Sequence, residues 1–262
     1  MPKKQTAKNK SKRVLIVADT HCGHLLGLTP PQWRSNPAYK EIQKVGWDFY
    51  TEQIKKLGHI DLCLCNGDLI DGPDVFRSRE YITDNTEDQV KMAIECVEAV
   101  KADKYVFVRG TPVHVKTDRE NENEIARHFK GKIGDELKLD VNGCIIHARH
   151  TTGKSGTVYG SATSLQRSAL VQLLNDEIDG NEKANIYVRS HAHEYVTVDR
   201  SICTACISPC LQFKGSSFGR KCTGFYDYGL MWFDINPDGH FKYDKEILTL
   251  SKKYRKQEVI KI

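Results

Sequence analysis

Five short apolar runs in this chain each break off into a carboxylate or an imidazole, and that recurrence narrows the possible folds more than any other feature. VLIVA (14–18) runs into Asp19-Thr20-His21, and IDLCLC (60–65) into Asn66-Gly67-Asp68. YVFVR (105–109) leads to Gly110-Thr111-Pro112 with His114 just beyond. CIIHAR (144–149) leads to His150, and ANIYVR (184–189) to His191 and His193. Runs of this length and composition have strand character. Between them, apolar residues recur at helical spacing: Ile42, Val45, Phe49, Ile54 and Leu57 within 38–57, then Val90, Ala93, Ile94, Val97 and Val100 within 86–102. A further helix is expected over about 161–178. Strand alternating with helix predicts an α/β fold with largely parallel strands, whose carboxyl ends gather the loops that carry chemistry. Beyond residue 194 the pattern turns β-rich, with YVTVD, LMWFDI and FKYDKEILTL, and no solenoid-length repeat is visible.

At 262 residues the chain suffices for one sizeable core. No apolar run approaches the roughly 18 residues of a membrane span, and the basic, polar start lacks the apolar stretch of a secretory signal. The expected setting is therefore cytoplasmic, with no membrane partner. The formal charge of +5 is unevenly placed. Lys3, Lys4, Lys8, Lys10, Lys12 and Arg13 stand without an acid among residues 1–13. Lys252, Lys253, Arg255, Lys256 and Lys261 outnumber Glu258 at the other end, so the body between them is net acidic. The expected division is a basic tail (1–12), a catalytic-type domain (13–250) and a second basic tail (251–262).

Singly, an Asp after a strand reads as a turn or cap residue, and a His as a satisfied polar residue. Five successive endings of this kind, with D-x-H and H-x-H among them, call for a shared purpose. Two cations about 3.5–4 Å apart can clamp a phosphate and generate hydroxide near neutral pH, but holding them needs a shared anion. Asp68 is suited to bridge, while neutral imidazoles favour manganese, iron, nickel or zinc over magnesium. Alternate residues of an extended chain point the same way, so Asp19 and His21 can reach one ion.

VADTH, NGDLIDG, the Gly-containing turn after the third run, a later His and SHAH together resemble the calcineurin-like metallophosphoesterase superfamily, in the right order over residues 14–195. The resemblance implies a β-sandwich flanked by helices, a four-layer α-β-β-α arrangement. It implies two divalent transition-metal ions, one held by Asp19, His21, Asp68 and His193, the other by Asp68, His150 and His191. Hydrolysis of a phosphate ester is the implied activity.

Two departures stand out. Where the family usually has Gly-Asn-His followed by Asp or Glu, this chain reads Gly110-Thr111-Pro112-Val113-His114. Thr111 replaces the amide ligand, and His114 becomes the candidate general acid or substitute ligand. At the fourth motif, His147 and His150 compete, and His150 is preferred because it falls at the strand's carboxyl end. Asp71 is placed to orient a ligand imidazole, and His24 reads as a polar loop residue. TTGKSG (151–156) lacks a Walker A pattern and reads as a loop in which Lys154 can meet phosphate. Trp33, Arg34, Phe76, Arg77, Arg79 and Tyr81 form a mixture able to stack a base and meet phosphates, with Arg77 the leading contact. A nucleic-acid or nucleotide phosphoester is the favoured substrate. The alternative is a catalytically weakened scaffold of the same fold that binds a protein or nucleic-acid partner, a reading Thr111 would support. Nine cysteines without an export signal argue against a disulfide framework. Cys203, Cys206, Cys210 and Cys222 permit a structural metal but read better as packing residues.

Overall fold

The computed structural model describes residues 10–72, 80–115, 120–152, 160–215 and 226–251. Its first sheet contains β1 (Lys12–Val17), β2 (Leu62–Asn66), β3 (Lys104–Val108), β4 (Lys132–Gly134), β10 (Gly229–Ile235) and β11 (Phe241–Ile247), in the order β11-β10-β1-β2-β3-β4. β1 through β4 are parallel, and β10 and β11 join antiparallel at the edge. The second sheet contains β5 (Glu136–Val141), β6 (Cys144–Arg149), β7 (Ile186–Arg189), β8 (Val196–Arg200) and β9 (Cys203–Ile207), ordered β5-β6-β7-β9-β8. Here β6, β7 and β9 are parallel, with antiparallel strands at both edges. Five α-helices, α1 (Lys40–Leu57), α2 (Thr86–Glu98), α3 (Pro112–Val115), α4 (Glu120–His128) and α5 (Ser161–Ile178), and a 3-10 turn at Pro31–Trp33 complete the described elements.

Strand parity builds the layers. Val14 and Ile16 face the second sheet, where they meet Ile146, Ala148, Ile186 and Val188. Leu15 and Val17, one residue out of phase, face the helical side with Phe49, Tyr50, Val90 and Val97. On the far face of the second sheet, Ile145, Tyr187 and Ala205 pack with Leu165 and Ala169 of α5. Three apolar interlayers therefore make the four-layer α-β-β-α sandwich. Each fully buried Leu, Ile or Val in them contributes roughly 1.5–3 kcal/mol.

Local signals set the helix ends. Asn85 caps α2 by accepting from Glu87 N at 2.9 Å, with Glu87 and Asp88 favourably placed in the first turn. α1 stops at Gly58, whose φ of 72° is a left-handed conformation that glycine adopts without strain. Cys203 faces the α5 layer and Cys206 the inter-sheet layer, on opposite sides of β9. They cannot converge on one ion, and both pack as small apolar residues; Cys222 lies outside the described residues.

Candidate metal centre

β1, β2 and β3 of one sheet and β6 and β7 of the other send their carboxyl ends toward the same edge of the sandwich. The loops there are laced by the backbone: Asp19 N donates to Gly67 O, His21 N to Asp68 O and Ser190 N to His150 O. Close approach of these loops demands glycine at two points. A Cβ at Gly110 would lie 2.1 Å from Asp68 Oδ1, and one at Gly67 2.5 Å from His150 Nδ1.

Side chains from both sheets converge in this seam. Asp19 Oδ1 lies 3.2 Å from His193 Nε2 and 3.9 Å from His21 Nε2, and the two imidazole nitrogens are 3.1 Å apart. Beside them, Asp68 Oδ2 lies 2.9 Å from His150 Nε2, 3.7 Å from His191 Nδ1 and 3.9 Å from His114 Nε2. Asp19 Oδ1 is also 3.9 Å from His150 Nε2, which joins the two halves. All seven of the motif residues thus come together: Asp19, His21, Asp68, His150 and His193 buried, His114 nearly so, and His191 the most open.

The backbone beneath them is strained. Of eight non-glycine residues with positive φ among the described residues, five are Asp19, His21, Asp68, His191 and His193. Left-handed backbone costs such residues on the order of 1 kcal/mol each and persists where the surroundings over-determine it, commonly at functional sites.

Hydrogen bonds fix the imidazoles. His150 Nδ1 donates to Asn66 O at 2.6 Å, and His114 Nδ1 to Asp71 O at 2.6 Å. Asp71 Oδ1 accepts from His21 Nδ1 at 3.0 Å. An acceptor at each Nδ1 assigns the proton there and turns the Nε2 lone pair inward, the arrangement metal-ligating histidines adopt. Asp71 so orients two imidazoles, as its spacing suggested.

Burial opposes ionisation of Asp68, yet His150 and His114 more than offset it and hold its carboxyl well below the usual range. Burial likewise works against a proton on His150, but the Asp68 charge raises its pKa to about 10. His21 is pushed down to about 4, chiefly by burial. Asp71 resists burial through its bond to His21 and lies at about 2. What favours a proton between Asp68 and His150 favours any cation there. Three donor sets in the seam have atoms close enough to share one ion each: Asp19, His21 and His193; His21, Asp71 and His114; and Asp68, His150 and His191. Mixed imidazole and carboxylate donors of this kind fit divalent transition metals.

Thr111 does a different job from the amide it replaces. Its N–H donates to Asp68 Oδ1 at 2.7 Å, and its hydroxyl lies 3.2 and 3.3 Å from the two carboxylate oxygens. Glu122, which its charged surroundings disguise as a surface residue, is buried beside this loop and accepts from Gly110 N at 2.8 Å and Leu69 N at 3.3 Å. Burial first, then the Asp68 charge, raises its pKa to about 7.

Other expectations fall differently. His147 faces the α5 side of β6, lies tilted against the Tyr187 ring at 5.6 Å between centroids and meets Arg189 Nη1 at 3.2 Å, away from the centre. His24 accepts from Leu26 N and faces Glu80. Trp33 does not offer a stacking platform: it packs on the helical core and donates its indole N–H to Glu95. Arg34 turns back onto Thr29 O. Phe76, Arg77, Arg79 and Lys154 lie outside the described residues. No described helix is long and apolar enough to cross a membrane.

No family model matches the chain, and no curated protein does. Solved structures resemble it at low identity. Vps29 from Cryptosporidium parvum is 14% identical, with a TM-score of 0.47 and coverage of 92% of this chain and 100% of that one. Vps29 from Entamoeba histolytica, solved with zinc, is 15% identical at a TM-score of 0.46, covering 90% and 98%. An archaeal phosphodiesterase is 13% identical at 0.43, covering 90% and 99%. Likeness at this level speaks to neither ligand nor reaction.

Proposed function

We propose that this chain is a metal-dependent phosphoester hydrolase of the calcineurin-like kind, working with two divalent cations. The convergence of seven motif residues from five loops, five of them on left-handed backbone, supports this reading. Asp19, His21 and His193 would hold one cation, and His150 and His191 the other, with Asp68 as the shared carboxylate. Manganese, iron, nickel and zinc suit these donors. Bound there, the cations would supply charge for the phosphoryl oxygens and a nucleophile near neutral pH.

The chain's own groups complete the chemistry. The Thr111 N–H pins Asp68 Oδ1, and Oδ2, which the Thr111 hydroxyl also reaches, faces His150. Asp71 O and Oδ1, 2.6 and 3.7 Å from His114 Nδ1, fix the ring so that Nε2 faces the seam, where it would serve as the general acid for a departing alkoxide. A nucleotide or nucleic-acid phosphoester is the favoured substrate, with Arg77 and Lys154 as phosphate contacts; the basic ends support that choice.

The second reading is a scaffold of the same fold that binds a partner. Thr111 favours it, because both its polar groups are spent on Asp68 and this turn offers no side-chain amide. Metal content, followed by hydrolysis of an aryl phosphomonoester and diester before and after chelation, separates the two. Repeating the assay with DNA and RNA ends tests the substrate class. Hydrolysis restored by manganese supports the enzyme; bound metal with no turnover on any ester supports the scaffold.

A further inference from the structure

Among the described residues five large apolar side chains are exposed: Val113, Val171, Leu174, Ile178 and Ile202. Three of them lie on α5, with Leu174 58% and Ile178 80% exposed. Single exposed apolar residues are ordinary. These three follow one another at intervals of three and four, and exposed Arg167 stands four residues ahead of Val171. The resulting stripe has the spacing of a coiled-coil seam. Leu165 and Ala169, on the other side of the helix, already fill the layer under it, so the stripe is surplus to this fold.

We propose that this stripe docks a second copy of the chain, two α5 helices packing antiparallel about a two-fold axis. Charge selects both the occupant and the direction. Arg167 stands at one end of the stripe, while exposed Asp179 and exposed Glu177, which also pairs with Lys183 of its own chain, flank Ile178 at the other. Antiparallel pairing sets each Arg167 against the partner's Glu177, at the helix carboxyl end, where the dipole also favours a cation. It seats Val171 against the partner's Leu174 and Leu174 against the partner's Val171. Parallel pairing would instead oppose like charges at both ends. A surface complementary to itself under two-fold rotation is what an isologous dimer requires. α5 covers the outer face of the second sheet, away from the seam, so pairing leaves both metal centres open.

One helix pair buries less than the roughly 1,600 Å² of a standard interface, so the expected dissociation constant is on the order of 10–100 µM. Sedimentation equilibrium of the full chain tests this across that range. The expected result is a concentration-dependent dimer that Leu174→Glu makes monomeric with its thermal transition and metal content unchanged. Arg167→Glu should weaken the dimer, and adding Glu177→Arg should restore it, because the swap re-forms both pairs. A chain that stays monomeric at ~500 µM overturns the proposal, whether the stripe is bare or covered by another segment. So does a dimer indifferent to Leu174→Glu, and a charge swap that fails to restore association overturns the antiparallel arrangement.

Discussion

Two clusters of histidine and aspartate sit at opposite ends of the parallel strands of the first sheet. At the carboxyl end, Asp19, His21, Asp68 and His193 are buried on strained backbone. At the other end, His59 Nε2 lies 3.6 Å from Asp61 Oδ1 and 3.3 Å from Asp103 Oδ2, just ahead of β2 and β3. The donor chemistry is similar, and both clusters could in principle surround an ion. Exposure and orientation divide them. The side chains of His59 and Asp103 are more than half exposed, and Asp61 is occupied with Arg13 N at 2.8 Å. Water already solvates these carboxylates, so a cation gains little from them. In the seam little such solvation is available, and His21, His114 and His150 are each aimed by a second bond at Nδ1. Donor type proposes a site; desolvation and fixed direction make one.

The largest expected effect tests that contrast directly. Asp68→Asn removes the shared charge and should lower turnover by at least ~10³-fold, since several kcal/mol of transition-state stabilisation depend on correctly held cations. Asp103→Asn should leave metal stoichiometry and rate unchanged. Elemental analysis and ester hydrolysis on both variants check this, and metal lost from the Asp103 variant would erase the distinction.

His114→Ala comes next. As general acid its loss should slow esters with poor leaving groups by ~10²–10⁴-fold and activated aryl esters far less, with metal content unchanged. Loss of metal with equal slowing of both substrates would make His114 a ligand instead.

A smaller effect is expected from Glu122→Gln. A carboxamide offers one acceptor oxygen where the carboxylate serves both Gly110 N and Leu69 N. Metal affinity should fall ~10–100-fold, as for other supporting residues, with turnover recovering at saturating metal. Isothermal titration with manganese measures it; unchanged affinity would make Glu122 a packing residue alone.

The smallest effect concerns His147, the histidine turned away from the seam. Burial, aided by Arg189, pushes its pKa down to about 4 from an ordinary 6.5. The unfolded chain therefore takes up a proton that the fold refuses. This residue's share of stability is present above pH 6.5 and is lost progressively as pH falls toward 4. His147→Gln should flatten that loss in urea titrations at several pH values while leaving metal content intact. A metal-depleted variant would return His147 to the centre.

Much of this could be read from residue order. α1, β6 and α5 fall where the apolar spacing sets them, and all seven motif residues meet. His150 is preferred over His147 for its place at the strand's carboxyl end; the structure sets His147 on the outward face with Ile145. Neither sheet is parallel throughout, because β10 and β11 close one edge of the first sheet and β5 and β8 both edges of the second with antiparallel pairing that has no local signal. α4 was not legible: in ENENEIARH only Ile125 and Ala126 are apolar and buried, so it reads as a solvated stretch. Glu122 was hidden for the same reason, since its role exists only when α4 meets the turns after β2 and β3. β5 alternates in ELKLDV, but its inward residues Leu137 and Leu139 are half-buried and the run is short. Trp33 looked available for stacking because its partner Glu95 is 62 residues away.

The seam also sets a clock on assembly. His193 meets Asp19 across 174 residues, and His150 meets Asp68 across 82. Contacts of such long range form only after the intervening chain has found its place, so neither donor set exists in a half-made sandwich. A ribosome must release residue 193 before Asp19 finds its second imidazole. Capture of a cation by these donors would therefore come late in the life of each molecule, and a bound ion would report that both sheets have docked. Fragments that end before β7 lack His191 and His193, and with them a member of each of the two donor sets assigned to the cations.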